Sequence, residues 1–143
     1  TTGKDITNYP GAGAAGGMGG GLLAFFNAEL KPGTELLLKA IDFSEKIKGA
    51  DLIITGEGKA DRQTAMGKVP YGILKEAQKE HIPVIVLAGS IENLPELNKA
   101  GFKGIFSIAP GPITLEKAME PEFAKENITR LVSQLYSVIT SFG

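Results

Sequence analysis

The chain has 143 residues, 43% of them apolar and 22% charged, which allows one compact domain and argues against intrinsic disorder. The formal net charge is −1 and the 15 basic residues are scattered, so nothing favours binding to nucleic acid or to an anionic membrane. Cysteine is absent and His81 is the only histidine, which excludes disulfides and argues against a structural zinc site. No apolar run approaches the roughly 20 residues of a membrane span and no signal peptide is visible, so we expect a cytoplasmic protein.

The chain starts at Thr1 without an initiating methionine, and its first ten residues show no periodic pattern. We therefore expect it to begin inside a longer protein; a processed terminus is the alternative.

Residues 11–21 form a glycine-rich stretch that contains G-x-G-x-x-G at Gly11, Gly13 and Gly16. Tyr9-Pro10 precedes it instead of a strand, so we reject a dinucleotide-binding fingerprint. Two interpretations stay open. The glycines could expose backbone N–H groups to an anion at the start of a helix, or they could let that helix pack closely on another backbone.

The next elements alternate between helix and strand. Residues 34–47 show a helical pattern with Thr34 as a candidate cap, and residues 51–55 are a short apolar strand. Further helices are predicted at 70–80, 95–100, 114–118 and from Pro121 onward, with strands at 84–88 and 104–108. The last helix carries an apolar stripe made of Ile128, Leu131, Val132, Leu135, Val138 and Ile139. This order predicts a doubly wound α/β domain with a parallel sheet and right-handed crossovers.

Ligands of such sheets gather beyond the carboxyl ends of the strands. We therefore expect the chemistry in the loops 56–61, 89–92 and 110–114.

The segment after the first strand is the strongest candidate site. Two glycines, Gly56 and Gly58, permit close approach to a ligand, while Glu57 and Asp61 lie four residues apart with Thr64 close behind. The carboxylates could hold Mg²⁺, or one could take a proton from an attacking hydroxyl. The alternative is a solvated turn whose carboxylates pair with Lys59 or Arg62, or cap a helix.

Two further polar residues follow on the same edge of the sheet. Lys68 is not part of a P-loop, since Arg62 replaces the first glycine and Val69 the Ser or Thr. It could still neutralise a phosphate, or be an ordinary surface lysine. Ser90 could donate a hydrogen bond to a phosphate or cap the following helix.

Two long stretches, in the same order along the chain, resemble the bacterial glycerate kinase family. One runs from Pro10-Gly11-Ala12-Gly13 through Gly19 to Phe25, with Asn27-Ala28-Glu29-Leu30-Lys31-Pro32-Gly33 behind it. The other is Ile53-Ile54-Thr55-Gly56-Glu57-Gly58-Lys59-Ala60-Asp61, followed by Gln63-Thr64 and Gly67-Lys68-Val69-Pro70. The strands at 84–88 and 104–108 agree in order and spacing.

The resemblance implies transfer of the γ-phosphoryl group of ATP to a hydroxyl of D-glycerate with Mg²⁺, usually giving 2-phosphoglycerate and in some related kinases 3-phosphoglycerate. It implies a Rossmann- or flavodoxin-like domain with a second α/β domain inserted into it. Residues 51–143 would be the C-terminal part of the first domain, and residues 1–50 the end of the inserted domain at the cleft. Members begin with a strand and an Asp-Ser-Phe-Lys-Gly-like segment that has no match here, so we expect the chain alone to be inactive and to need that N-terminal part.

On this basis, we expect Glu57 and Asp61 to share Mg²⁺ coordination and activation of the glycerate hydroxyl. Lys68 would offset phosphate charge, and the remaining expected substrate or phosphate contacts are Gly13, Gly16, Gly17, Gly56, Gly58, Thr64 and Ser90. A non-catalytic module that binds a sugar acid or nucleotide is one alternative. A structural fragment whose glycine-rich helix packs on the rest of the protein is another, and self-association as a homo-oligomer is left open.

Overall fold

The computed structural model describes Gly3, residues 5–26 and residues 28–141. The expectation about Thr1, and the part of the resemblance that falls on Asn27, lie outside these residues. No helix in the described part of the chain is long and apolar enough to cross a membrane.

The structure is a mixed α/β fold around a parallel sheet, which confirms the predicted class. Its strands are β1 (Ile53–Ala60), β2 (Val84–Ile91) and β3 (Gly104–Ser107), in the order β1-β2-β3. Ile53 pairs with Val84 at the start of β1, and Ile85 pairs with Gly104 at the start of β3. The three predicted strands are therefore all present, with parallel pairing.

Seven helices and one 3₁₀ turn are found among the described residues. The helices are α1 (Ala14–Phe26), α2 (Gly33–Ala40), α3 (Phe43–Lys46), α4 (Val69–Lys79), α5 (Leu94–Ala100), α6 (Leu115–Ala118) and α7 (Pro121–Thr140), and the 3₁₀ turn spans Arg62–Ala65. The predicted single helix over 34–47 is wrong, because Asp42 adopts φ 51° and divides it into α2 and α3. The expected cap is also wrong, since α2 begins at Gly33 and has Pro32 as its N-cap.

The crossover helices share one hydrophobic core with one face of the sheet. Leu74 and Ala77 of α4, and Leu97 of α5, pack with Val84 and the other inward residues of β2. These positions are at most 1% exposed, so this layer is closely packed. The core fixes the carboxyl ends of β1 and β2, where the candidate site lies.

The helices before the sheet also pack on α4. Ile47 belongs to the core cluster, and the Ser44 hydroxyl donates to Glu76 Oε2 at 2.8 Å. A Cβ atom at Gly72 would lie 2.4 Å from Thr34 Cγ2, so α2 crosses α4 at van der Waals distance. Residues 33–47 thus contact the same core as the sheet, while the domain boundary near residue 50 stays a prediction.

Candidate functional site

Four of the predicted site residues lie together at the carboxyl end of β1: Glu57, Asp61, Thr64 and Lys68. Lys68 Nζ lies 3.5 Å from Asp61 Oδ1 and 3.8 Å from Glu57 Oε1. Thr64 Oγ1 lies 3.1 Å from the Asp61 amide nitrogen and 3.5 Å from Glu57 Oε2. We call these four residues the carboxylate cluster.

The local backbone corrects the expectation that residues 56–61 form a loop. β1 continues through Gly56, Glu57, Gly58 and Lys59 to Ala60, and β2 likewise continues past Gly89 to Ile91. Glycines are unfavourable in strands on their own, but here the neighbouring strand supplies a partner as far as Ala60. Glu57 is therefore held by a sheet, and only Asp61 lies in the turn that follows.

The glycines of this region have a packing reason as well. A Cβ atom at Gly89 would lie 2.7 Å from the carbonyl oxygen of Gly58, a distance that real Cβ contacts do not reach. Gly58 itself has open space where its Cβ would be. The two strands thus require glycine at position 89, whereas Gly58 leaves its own side of the strand open to a ligand.

Asp61 is the N-cap of the 3₁₀ turn. Its Oδ1 accepts hydrogen bonds from the backbone N–H groups of Gln63 at 2.9 Å and Thr64 at 3.3 Å. The Thr64 side chain in turn accepts from the Asp61 N–H, which completes a capping box. The cap that the sequence left as an alternative is therefore present.

The same contacts determine the ionisation of Asp61. Burial pushes the pKa of its carboxyl up, but the N–H of Gln63, the Lys68 ammonium and the N–H of Thr64 together outweigh burial. They hold the pKa below its ordinary value of 3.8. Asp61 is therefore a carboxylate at neutral pH, with a fixed orientation.

Lys68 is placed to interact with both carboxylates. It is the N-cap residue of α4, whose buried Pro70 follows in the first turn, and its side chain remains 33% exposed. The carboxylates beside it are 19% exposed at Glu57 and 21% at Asp61. The cluster is thus reachable from solvent, carries one more negative than positive charge, and already contacts one cationic group.

The described part of the chain offers a metal two carboxylates here, without a third acidic, histidine or cysteine side chain beside them. Within the described residues, no group of three or more such side chains could enclose an ion. Mg²⁺ commonly uses one or two carboxylates and completes its shell with phosphate oxygens and water, so Glu57 and Asp61 fit it when a nucleotide supplies the rest. Gln63, Thr64 and Lys68 all donate to Oδ1 of Asp61.

Thr64 differs from the other members because it is fully buried, at 0% exposure. Its hydroxyl lies between the Asp61 N–H and two acceptors, Glu57 Oε2 and the Lys59 carbonyl oxygen, both at 3.5 Å. Contact between Thr64 and a ligand stays a prediction. Its structural role was missed, because the usual capping-box pattern has Glu or Gln at the third helical position and Thr64 takes that place here.

Ser90 and His81 lie at different ends of the sheet. Ser90 is exposed in β2 and pairs with Lys59 of β1, near the carboxyl ends. It does not cap α5, whose N-cap is Asn93, so that alternative is wrong. His81 lies in the turn before β2, at the amino ends of the strands and away from the carboxylate cluster.

The glycine-rich segment folds into a turn and the start of α1. Gly16 and Gly17 have φ of 68° and 95°, which favours glycine, and Ala15 is left-handed as well. Gly13, Gly16 and Gly17 are exposed, with open space where a Cβ would be. Their backbone is therefore accessible to a ligand, although ligand contact stays a prediction.

The close packing in this segment is carried by two other glycines. Gly19 and Gly20 are buried, and a Cβ at Gly19 would lie 2.5 Å from the Gly11 carbonyl oxygen. The Gly20 N–H donates to the Ala12 carbonyl at 2.8 Å. The two interpretations thus apply to different residues. The exposed glycines of the turn suit the approach of a ligand, and the buried Gly19 and Gly20 account for the close packing.

Comparisons with known proteins all point to the same family. A profile described as "Glycerate kinase family" matches residues 1–140. The chain is 46% identical over 119 residues to a glycerate kinase of Halalkalibacterium halodurans, with 82% of this chain and 31% of that protein covered. It is 44% identical over 135 residues to a glycerate kinase of Bacillus cereus, with coverages of 94% and 35%. A glycerate 2-kinase of Escherichia coli is 42% identical over 127 residues, with coverages of 88% and 33%.

The fold agrees with a solved structure. The crystal structure of a candidate glycerate kinase 2 from Salmonella typhimurium LT2 is 37% identical, with a TM-score of 0.62 over 91% of this chain and 34% of that one. The chain spans about a third of the length of the relatives it matches. The matching profile, the identities and the shared fold together show that this chain belongs to the glycerate kinase family.

Proposed function

We propose that the protein containing this chain transfers the γ-phosphoryl group of ATP to a hydroxyl of D-glycerate, with the carboxylate cluster in its active site. Family membership supports the reaction class. The observation that carries the site assignment is the placement of Glu57 and Asp61 around Lys68 at the carboxyl end of a parallel strand, where α/β folds bind ligands.

The contacts of Asp61 suit a group that stays charged during the reaction. Phosphoryl transfer depends on alignment and on compensation of negative charge, with little covalent work by the protein. Asp61 is oriented by two backbone N–H groups and keeps a lowered pKa. It can therefore hold a cation, or accept the proton of the glycerate hydroxyl late in the transfer of the phosphoryl group. Lys68, beside α4, can follow a phosphate as a point charge.

Glu57 has fewer fixed contacts than Asp61. Its carboxylate is reached by Thr64 Oγ1 at 3.5 Å and by Lys68 Nζ at 3.8 Å, both at the limit of an interaction. It can therefore turn toward a ligand more readily than Asp61. Mg²⁺, held by these carboxylates and by phosphate oxygens, would neutralise charge on the transferred group.

The exposed backbone around the cluster would contact the substrates. Gly56 and Gly58 bring the β1 backbone next to the carboxylates, and Ser90 lies opposite Lys59 on β2. Gly13, Gly16 and Gly17 would approach the substrate or a phosphate from the glycine-rich turn. The rest of the protein would complete the site and close the cleft over the substrates. We propose that the enzyme works in the cytoplasm.

The test uses the full-length protein with D-glycerate and MgATP. Wild type should release ADP only when glycerate is present, and Asp61→Ala should lower the turnover at least about 100-fold if Asp61 is the base. Asp61→Asn is the matched variant, since an amide oxygen can still accept from Gln63 and Thr64 while the charge is lost. An Asp61→Ala protein within threefold of wild type would place the chemistry elsewhere, and a folded wild type without glycerate-dependent release would favour a binding module.

A magnesium titration separates the two carboxylates. Loss of a metal ligand should raise the Mg²⁺ concentration needed for half-maximal rate, whereas loss of the base should lower the rate at saturating Mg²⁺. Glu57→Gln and Asp61→Asn measured side by side therefore assign the roles. If neither variant changes the rate or the Mg²⁺ requirement more than threefold, the cluster is not the catalytic site.

We further propose 2-phosphoglycerate as the product, supported by the 42% identity to a glycerate 2-kinase. Proton-coupled ³¹P NMR distinguishes the products directly. Phosphate on the secondary carbon couples to one proton and gives a doublet, whereas phosphate on the primary carbon couples to two and gives a triplet. A triplet would reject this assignment and leave the kinase activity intact.

A further inference from the structure

We propose that Thr64 is a positioning residue: its buried hydroxyl holds the main-chain N–H of Asp61, and thereby the turn that orients the Asp61 carboxylate for the reaction, without touching either substrate. This inference rests on the proposed function and adds a residue that acts through Asp61. It differs from the sequence expectation, which made Thr64 a ligand contact.

The first observation is burial. Thr64 is one of the few large side chains below 2% exposure, and at 0% it is more deeply buried than any other member of the carboxylate cluster. The 3₁₀ turn that carries it packs against both α4 and α5. A side chain in this place is shielded from any ligand by the turn and helices around it.

The second observation is the direction of its hydrogen bonds. Thr64 Oγ1 accepts from the Asp61 N–H at 3.1 Å, while the Thr64 N–H donates to Asp61 Oδ1 at 3.3 Å. The two residues therefore hold each other through main chain and side chain at once. This reciprocal pair fixes both the backbone of Asp61 and the orientation of its carboxylate.

The third observation links Thr64 to the rest of the cluster. Its one hydroxyl proton has two acceptors at 3.5 Å, Glu57 Oε2 and the Lys59 carbonyl oxygen. Either choice attaches the 3₁₀ turn to the end of β1, because Glu57 and Lys59 both belong to that strand. These contacts are long, so the hold on Asp61 is the stronger effect.

The test compares Thr64→Val with Thr64→Ser in the full-length protein. Valine keeps the volume and removes the hydroxyl, while serine keeps the hydroxyl and removes a methyl group. We expect kcat of Thr64→Val to fall at least about tenfold, with KM for glycerate and MgATP changed less than threefold, because the interaction is made with a catalytic group and not with a substrate. Thr64→Ser should remain within about threefold of wild type in kcat.

A double variant separates positioning from ligand contact. If Thr64 acts through Asp61, adding Thr64→Val to Asp61→Asn should lower kcat by less than threefold further, since the group it positions has already lost its charge. Multiplicative losses, or a large rise in KM with kcat unchanged, would overturn the proposal and indicate an independent substrate contact.

The remaining outcomes are also decisive. Should Thr64→Val fail to fold, Thr64→Cys takes its place, since it nearly keeps the volume and has a weaker hydrogen-bonding group. A kcat of Thr64→Cys below that of Thr64→Ser and wild type supports the proposal, even where the loss is less than tenfold. A kcat equal to that of wild type overturns it. If wild type and Thr64→Val are equally active, the role of Thr64 is rejected while the proposed function stands. A folded wild type without glycerate-dependent ADP release rejects the proposed function and this role together.

Discussion

At the scale of single residues, Lys68 affects the ionisation of Asp61. The Lys68 ammonium lies 3.5 Å from Asp61 Oδ1 and helps to hold the pKa of Asp61 below 3.8. A depressed pKa means that the ionised form is stabilised more by the folded state than by the unfolded chain. The resulting stability is present above pH 3.8 and is lost as the pH falls through the lower, folded-state pKa.

This relation predicts a pH dependence for Lys68→Met. Removing the ammonium should bring the pKa of Asp61 back toward 3.8, so acid should destabilise this variant at a higher pH than wild type. The measurement is the thermal midpoint of the full-length protein between pH 7 and pH 3, with Asp61→Asn as the variant that lacks the titrating group. If the thermal midpoints of wild type and Lys68→Met fall at the same pH on the acid side, Lys68 does not act on Asp61.

The grouping of the carboxylate cluster was readable from the sequence, whereas the burial of Thr64 was not. The grouping of Glu57, Asp61, Thr64 and Lys68 follows from their closeness along the chain after a strand. The complete burial of Thr64 depends on α4 and α5 packing over the 3₁₀ turn, and no local pattern encodes that arrangement. Sequence reasoning therefore placed these four residues together but did not predict that Thr64 is fully buried.

At the scale of elements, Gly58 in β1 and Gly89 in β2 have different structural roles. A Cβ at Gly89 would meet the Gly58 carbonyl at 2.7 Å, whereas a Cβ at Gly58 meets nothing within 4 Å. Sequence reasoning ended the first strand before Gly56 and the second before Gly89, because glycine is a poor strand former. Pairing between β1 and β2 overrides that local preference as far as Ala60 and Ile91.

The pair gives a controlled prediction. Gly89→Ala should destabilise the protein by roughly 1–3 kcal/mol, because the strands must separate to admit a methyl group. Gly58→Ala should leave stability within about 1 kcal/mol, and it should lower activity only if a ligand approaches the β1 backbone there. Denaturation midpoints and ADP release for both variants check this, and equal stabilities would show that the Gly89 contact is relieved at no cost.

At the scale of the whole molecule, α7 exposes several large apolar side chains. Ile128, Tyr136, Val138 and Ile139 are 42%, 68%, 56% and 48% exposed, and all four lie on this helix. Of the apolar stripe predicted from the sequence, Leu131, Val132 and Leu135 are half-buried, whereas Ile128, Val138 and Ile139 are exposed. A helix with this pattern normally packs its apolar side against another element.

We therefore expect the 143-residue chain, prepared alone, to bind a hydrophobic dye such as ANS more strongly per molecule than the full-length protein. Replacing Val138 and Ile139 with lysine in the isolated chain should reduce the fluorescence at least twofold. The matched control is Gln134→Lys, which adds charge to the same helix without removing apolar surface. Unchanged fluorescence in the double variant would show that the dye binds elsewhere.

The carboxylate cluster is also local along the chain, since its members fall between Glu57 and Lys68. Closing so short a loop carries a small entropy loss, and the capping box between Asp61 and Thr64 spans only a single turn. We expect this turn to form early in folding, before the more distant pairing of β1 with β2 is complete. The sheet and its covering helices would then assemble around a charged turn that already has its shape, so the order of folding would protect the geometry of the site.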